Sequence, residues 1–168
     1  MRKELFNHLA FWFGYFVLVT IFNSLYSFSY WPLYIGGLAG MAFSYIDHIL
    51  HVFVYKPQEL TSIRVQTLVN QKQYKEALLL LYSTNDERKD LIFHTVLFQI
   101  IFAILTFWVV TSSGNLFGRG LVLGYFLSLT IYNLKKFLNK ELIFGDTDQT
   151  RIYFVTQVIL LFVFGLLL

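Results

Sequence analysis

Apolar runs near the ~20 residues that a helix needs to cross a bilayer recur along this chain, at residues 5–30, 33–55, 91–112, 119–134 and 152–168. Inside hydrocarbon a backbone must satisfy its own polar groups, and a helix does so within one segment. The expected fold is therefore all-α: a single membrane domain over 1–168, a polytopic bundle of about five transmembrane helices. Composition agrees, with 57% hydrophobic and 14% charged residues against the ~45–50% and ~25% of soluble domains. No second, polar composition marks a separate soluble domain. The absence of cysteine excludes disulfides, thiolate ligands and cysteine nucleophiles. A formal charge of +3 is too small to argue for nucleic acid. The partners expected from composition are the lipid bilayer and a protein partner or second copy within it.

The runs differ in how they begin and end. The first follows Met1-Arg2-Lys3-Glu4 and exceeds the core of a secretory signal. It ends in the aromatic belt Ser27-Phe28-Ser29-Tyr30-Trp31, so it is expected to remain as the first span. Pro32 suits the first turn of the second, and Gly36 and Gly40 form a GxxxG face for close helix approach. Residues 56–90 are the one substantial polar segment. Their apolar positions recur at helical spacing, which predicts two amphipathic helices turning at Asn70-Gln71-Lys72 on the cytoplasmic side, with Leu78 and Leu81 buried. Thr84-Asn85-Asp86-Glu87 fits a capping box that would start a third long helix near residue 85. Asp146 and Asp148 read as turn and cap residues before the last span.

Charge sets the expected orientation. With the N-terminus cytoplasmic and the C-terminus outside, Arg119 alone of the thirteen Lys and Arg residues falls on the outer side, as the positive-inside bias favours.

Within the second run lies Tyr45-Ile46-Asp47-His48-Ile49-Leu50-His51. Ionisable groups at bilayer depth cost roughly 2.5–3.5 kcal/mol each, so they face the protein interior and usually serve a function. Asp47 and His51 are four apart, and His48 and His51 three apart, so a helix places all three on one flank. At ~1.5 Å per residue, His8, His51 and His94 each lie about 6 Å inside a span end, in one layer near the cytoplasmic face. A carboxylate and imidazoles gathered there suggest a metal site or a proton-handling site; the alternative is a polar patch bonded to a neighbouring helix. His8 alone is accounted for by reaching the headgroups.

Gly37-Leu38-Ala39-Gly40 followed by Tyr45-Ile46-Asp47-His48 resembles the Gly-rich helix ending in Pro-Asp-Ile-Asp-His of the LexA-regulated inner-membrane family of predicted membrane-bound metal-dependent hydrolases. Arg88 through His94-Thr95-Val96-Leu97-Phe98 is similar to its Arg…Thr-His-Ser-Leu-Leu-Phe segment. Gly124-Tyr125-Phe126-Leu127-Ser128-Leu129-Thr130-Ile131-Tyr132 is similar to its Gly-Tyr-x-x-His-x-x-x-Asp motif. The resemblance implies a bacterial inner-membrane hydrolase with Asp47 and His94 as catalytic residues. It further implies a divalent metal such as zinc held by Asp47, His48 and His94, with His51 as a substitute ligand if this chain has rearranged its site. Three family ligand positions carry Tyr45, Ser128 and Tyr132 instead, and neither Ser nor neutral Tyr is a usual ligand for a catalytic divalent ion.

Three functions follow as expectations. The first is metal-dependent hydrolysis of an ester or phosphoester, in a lipid or small phosphoester substrate, at the cytoplasmic face, through a metal-bound water. The second is a catalytically degenerate member acting as a structural or partner subunit. The third, an ion or proton carrier, is weakest, because no polar residues continue a path outward. A serine triad has no sequence support, since Ser128 is not in a Gly-x-Ser-x-Gly elbow.

Overall fold

A computed structural model of the chain describes residues 2–84, 91–143 and 146–168, with the backbone alone at 2–5. The described residues are helical, and no strand occurs among them. The helices are α1 (Arg2–Phe22), α2 (Trp31–Phe43), α3 (Ile46–Leu50), α4 (Leu60–Asn70), α5 (Tyr74–Ser83), α6 (Val96–Ser112), α7 (Leu116–Leu138) and α8 (Thr147–Leu166).

The core is organised around α7. Every residue from Val122 to Ile131 is buried, as expected of a helix enclosed on all sides rather than amphipathic. Its closest neighbour is α2, and glycines explain the closeness. A Cβ on Gly36 would meet the Phe117 carbonyl oxygen, and one on Gly40 that of Leu121; from the other side, Gly120 faces the Leu33 carbonyl and Gly124 that of Gly37. Two small-xxx-small faces thus meet backbone to backbone, where any side chain would force the helices apart. Helices α1, α6 and α8 complete the bundle around Phe16, Val110, Leu123, Phe126 and Phe164.

Two helical stretches, Phe28–Tyr55 and Thr147–Leu166, are long and apolar enough to cross a membrane; Phe6–Phe22 and Val96–Ser112 are apolar but shorter. The faces that the bundle turns outward are apolar too. On α6 they carry Leu97, Ile100, Ile101, Ile104 and Trp108, and on α8 Ile152, Ile159 and Phe162.

The boundaries differ from the sequence expectation for local reasons. The first helix stops at Phe22, not near Tyr30, because Ser24 takes φ 55° while Leu25 N donates to Thr20 O at 3.0 Å and Ser24 N to Ile21 O at 3.4 Å. That is a Schellman stop built without glycine. The run after it is not one uniform helix: it starts as a 3₁₀ turn at Phe28–Tyr30, breaks at Ser44-Tyr45, and ends in a π-turn at His51–Tyr55. Helix α6 starts at Val96, capped by Thr95 Oγ1 accepting from Phe98 N, and not at residue 91. His94 therefore lies on the 3₁₀ turn Ile92–His94. The capping box expected at 84–87 extends outside the described residues. Helix α7 is longer than the 119–134 expected, with Asn115 as its cap, and Asp146 caps α8 by accepting from Asp148 N.

The polar insert forms a helical hairpin, α4 and α5, turning where Lys72 takes φ 60°. Val65 and Ala77 are buried against Val52. Leu78, expected to be buried, is 61% exposed, and Leu81 is partly buried. The buried stripe of α5 runs through Ala77, Leu80 and Leu81, a three-to-four spacing that turns Leu78 away.

Candidate functional site

Asp47 is fully buried at the start of the short helix α3, just after the Ser44-Tyr45 break. Its Oδ2 accepts from Phe93 N at 2.9 Å and pairs with His94 Nδ1 at 3.0 Å. The residues come from segments 46–47 positions apart, and the non-α turn at 92–94 lets one carboxylate oxygen collect both a backbone N–H and the adjacent imidazole. A carboxylate only accepts, so an ionised Asp47 places the proton of a neutral His94 on Nδ1 and leaves Nε2 as the basic nitrogen. Asp47 Oδ1 is buried with no hydrogen-bond partner among the described residues.

His94 is held from a second side by Tyr132 of α7, ring centroids 4.3 Å apart in an edge-to-face arrangement. Lys136 in turn sits 4.8 Å over the Tyr132 ring, within cation–π range. The His48 ring lies 6.1 Å from that of His94. His8, His48, His94, Tyr45, Ser128 and Tyr132 all line one cavity of about 40 Å³, which Lys135 also borders. Tyr45, Ser128 and Tyr132 are thus gathered with His48 and His94.

His51 is not part of this group. The π-turn carries its side chain to the surface hairpin, where Nε2 meets Glu59 Oε2 at 3.1 Å. Glu59 is also 3.3 Å from Lys56 Nζ. The His51 hydrogen bond holds the Glu59 carboxyl below the ordinary carboxylate range; partial desolvation opposes this and Lys56 reinforces it. The α4 side of the same joint is closed by Gln66 Nε2 donating to Val52 O at 2.8 Å.

Of the four residues expected to bind metal, Asp47 and His94 are in direct contact, His48 lies across the cavity, and His51 is engaged by Glu59. A zinc-like site gathers three or four ligands at about 2.0–2.2 Å. Among the described residues no group of three His, Asp or Glu side chains is placed to hold an ion. Asp47 Oδ2 is committed to His94 and Phe93, an arrangement that orients the imidazole.

Sequence reasoning passed over the buried amides beside this site. Gln99 Oε1 accepts from Asn133 Nδ2 at 2.6 Å, Tyr153 OH at 2.7 Å and Gln157 Nε2 at 3.3 Å, joining α6, α7 and α8. Asn133 also donates to Gln157 Oε1 at 2.6 Å. The signal was available, since Gln99, Asn133 and Gln157 are isolated amides in apolar surroundings, where side-chain amides bond between helices.

Comparison with family models, with curated proteins and with solved structures finds no match to this chain.

Proposed function

We propose that this chain is an integral membrane hydrolase of five spans, N-terminus cytoplasmic, that cleaves an ester or phosphoester at its inner face with His94 as the general base. The membrane part is supported by the two helical stretches long and apolar enough to cross a membrane, by the apolar outward faces of α1, α6 and α8, and by the bias of basic residues described above. Exposed apolar surface on this scale is unfavourable in water and expected against lipid. Helix α7, at 23 residues or about 35 Å, is long enough to span from within the bundle.

The observation that carries the catalytic part is the 3.0 Å contact between Asp47 Oδ2 and His94 Nδ1. A buried carboxylate on Nδ1 selects the tautomer, fixes the ring and stabilises the imidazolium formed when Nε2 accepts a proton. His94 Nε2 would take the proton of the attacking hydroxyl group and return it to the leaving oxygen. The described residues do not assemble the ligand set that the family resemblance implies.

A second reading, a bundle without catalysis, draws on the same geometry: Asp47 also clamps the Phe93 backbone, which is a structural service. Hydrolysis of chromogenic carboxylic and phosphoric esters by the purified protein in detergent separates the two. Catalysis predicts turnover that falls at least about a hundredfold in His94→Ala and falls also in Asp47→Asn. No turnover by the wild type, or equal turnover by His94→Ala, overturns the hydrolytic reading.

A further inference from the structure

Hydroxyl groups on these helices mostly bond to their own backbone. Thr20, Thr106, Thr111, Thr130 and Thr156 each donate to the carbonyl four residues earlier, and Ser112 does the same. Such back-bonding is the ordinary resting place of a hydroxyl in an apolar helix. Ser128 departs from it. It is 3% exposed, and its Oγ has no hydrogen-bond partner among the described residues. Ser62, also buried and unpartnered, belongs to the surface hairpin and does not line the cavity. A buried hydroxyl without a partner forfeits about 1–3 kcal/mol of stability, so its persistence points to a group that the resting protein does not itself supply.

Ser128 lies on the α7 wall of the cavity that His94 also lines. One turn along α7, Tyr132 packs against the His94 ring. His94 is bound to Asp47 through Nδ1, which leaves Nε2 for chemistry. An activated nucleophile needs a hydroxyl, an imidazole and a group that orients the imidazole, and it is recognised by those roles rather than by a local motif. Ser128 and His94 are not hydrogen-bonded at rest, and catalytic hydrogen bonds commonly tighten only when substrate binds.

We infer that Ser128 is the nucleophile of this site and that the substrate is a carboxylic ester, cleaved through an acyl-serine. The inference rests on the reading of His94 as the base. Ser128 Oγ attacks the ester carbonyl carbon while its proton passes to His94 Nε2. The tetrahedral intermediate collapses, the C–O bond to the alcohol breaks, and the leaving oxygen takes that proton from His94. A water molecule then attacks the acyl-serine, giving its proton to His94. Ser128 Oγ leaves with the proton, and the net change is ester plus water to acid plus alcohol. Tyr132 and Lys135 border the same cavity and are donors for the oxyanion of each intermediate. The cavity, at about 40 Å³, has room for the reacting acyl carbon and its immediate substituents.

The test is covalent labelling of the purified protein in detergent with a fluorophosphonate probe, read by peptide mass spectrometry beside hydrolysis of p-nitrophenyl acetate. The expected result is one label, on Ser128, absent in Ser128→Ala and at least a hundredfold slower to form in His94→Ala. Ser128→Ala removes a buried hydroxyl that holds nothing in the fold, so its unfolding temperature should equal or exceed that of the wild type and its loss of turnover should not reflect misfolding. Turnover that requires His94 but survives Ser128→Ala, with no label on Ser128, overturns the nucleophile and leaves the base. Neither label nor turnover in the wild type overturns both.

Discussion

The Gln99 side-chain amide donates to the backbone carbonyl of His94 at 2.9 Å. Through that bond the candidate base is tied to the buried amide cluster, since the same Gln99 accepts from Asn133, Tyr153 and Gln157 on two other helices. The 92–94 turn is thus held at one end by the Asp47 carboxylate and at the other by an amide anchored in the core.

Replacing Gln99 by Leu should therefore destabilise the bundle by about 1–3 kcal/mol, the cost of leaving buried donors unsatisfied. Tyr153→Phe removes one of those donors together with its own demand and should cost less, about 0.5–1.5 kcal/mol. Thermal unfolding of both variants in one detergent measures the difference, and equal midpoints would show that the cluster does not act as a unit.

The contact between α2 and α7 makes an opposite pair of predictions for two glycines. Gly124→Ala places its Cβ against the Gly37 backbone, where no side chain can yield, and overpacking of this kind costs about 1–3 kcal/mol. Gly14→Ala meets nothing within 4 Å and should stabilise α1 by about 0.5–1 kcal/mol through lower unfolded-state entropy. Denaturant titration of the two variants checks the signs.

The joint between the π-turn and the hairpin should respond to acid. Glu59 has a depressed carboxyl pKa in the folded state, first through the His51 hydrogen bond. Its contribution is fully present above the ordinary carboxylate value near 4.5 and is lost as pH falls through the depressed folded value. Glu59→Gln should lower the unfolding temperature at pH 6, and the gap to wild type should close as pH is taken towards 3. A gap independent of pH would mean that the carboxylate charge contributes nothing there.

Orientation has its own test. A reporter inserted at Asn70, in the exposed turn of the hairpin, should be cytoplasmic, and one fused after Leu168 should be external. The reverse pattern would overturn the orientation, and both on one side would change the number of spans.

The helical class, the apolar outward surface, the Gly36–Gly40 contact face and the hairpin turn near Lys72 could all be read from sequence, because each follows from composition or from spacing along a single helix. Asp47 and His94 could be named in the same way, since ionisable residues in apolar runs are costly and therefore conspicuous. Which of the histidines meets Asp47 could not. Helical spacing put Asp47, His48 and His51 on one flank, but the break at Ser44-Tyr45 and the π-turn at His51–Tyr55 alter the winding there, and His51 goes to Glu59 instead. His94 was expected on a helix and lies on the turn before one, free of the regular ladder and close enough to bond. Ser128 stands where the resembled motif has a histidine and lies in no Gly-x-Ser-x-Gly elbow, so its sequence context does not mark it as a nucleophile. That its hydroxyl shares a cavity with His94 depends on how α7 packs against the 92–94 turn, where Tyr132 meets the His94 ring, a relation between segments that spacing within either one does not contain.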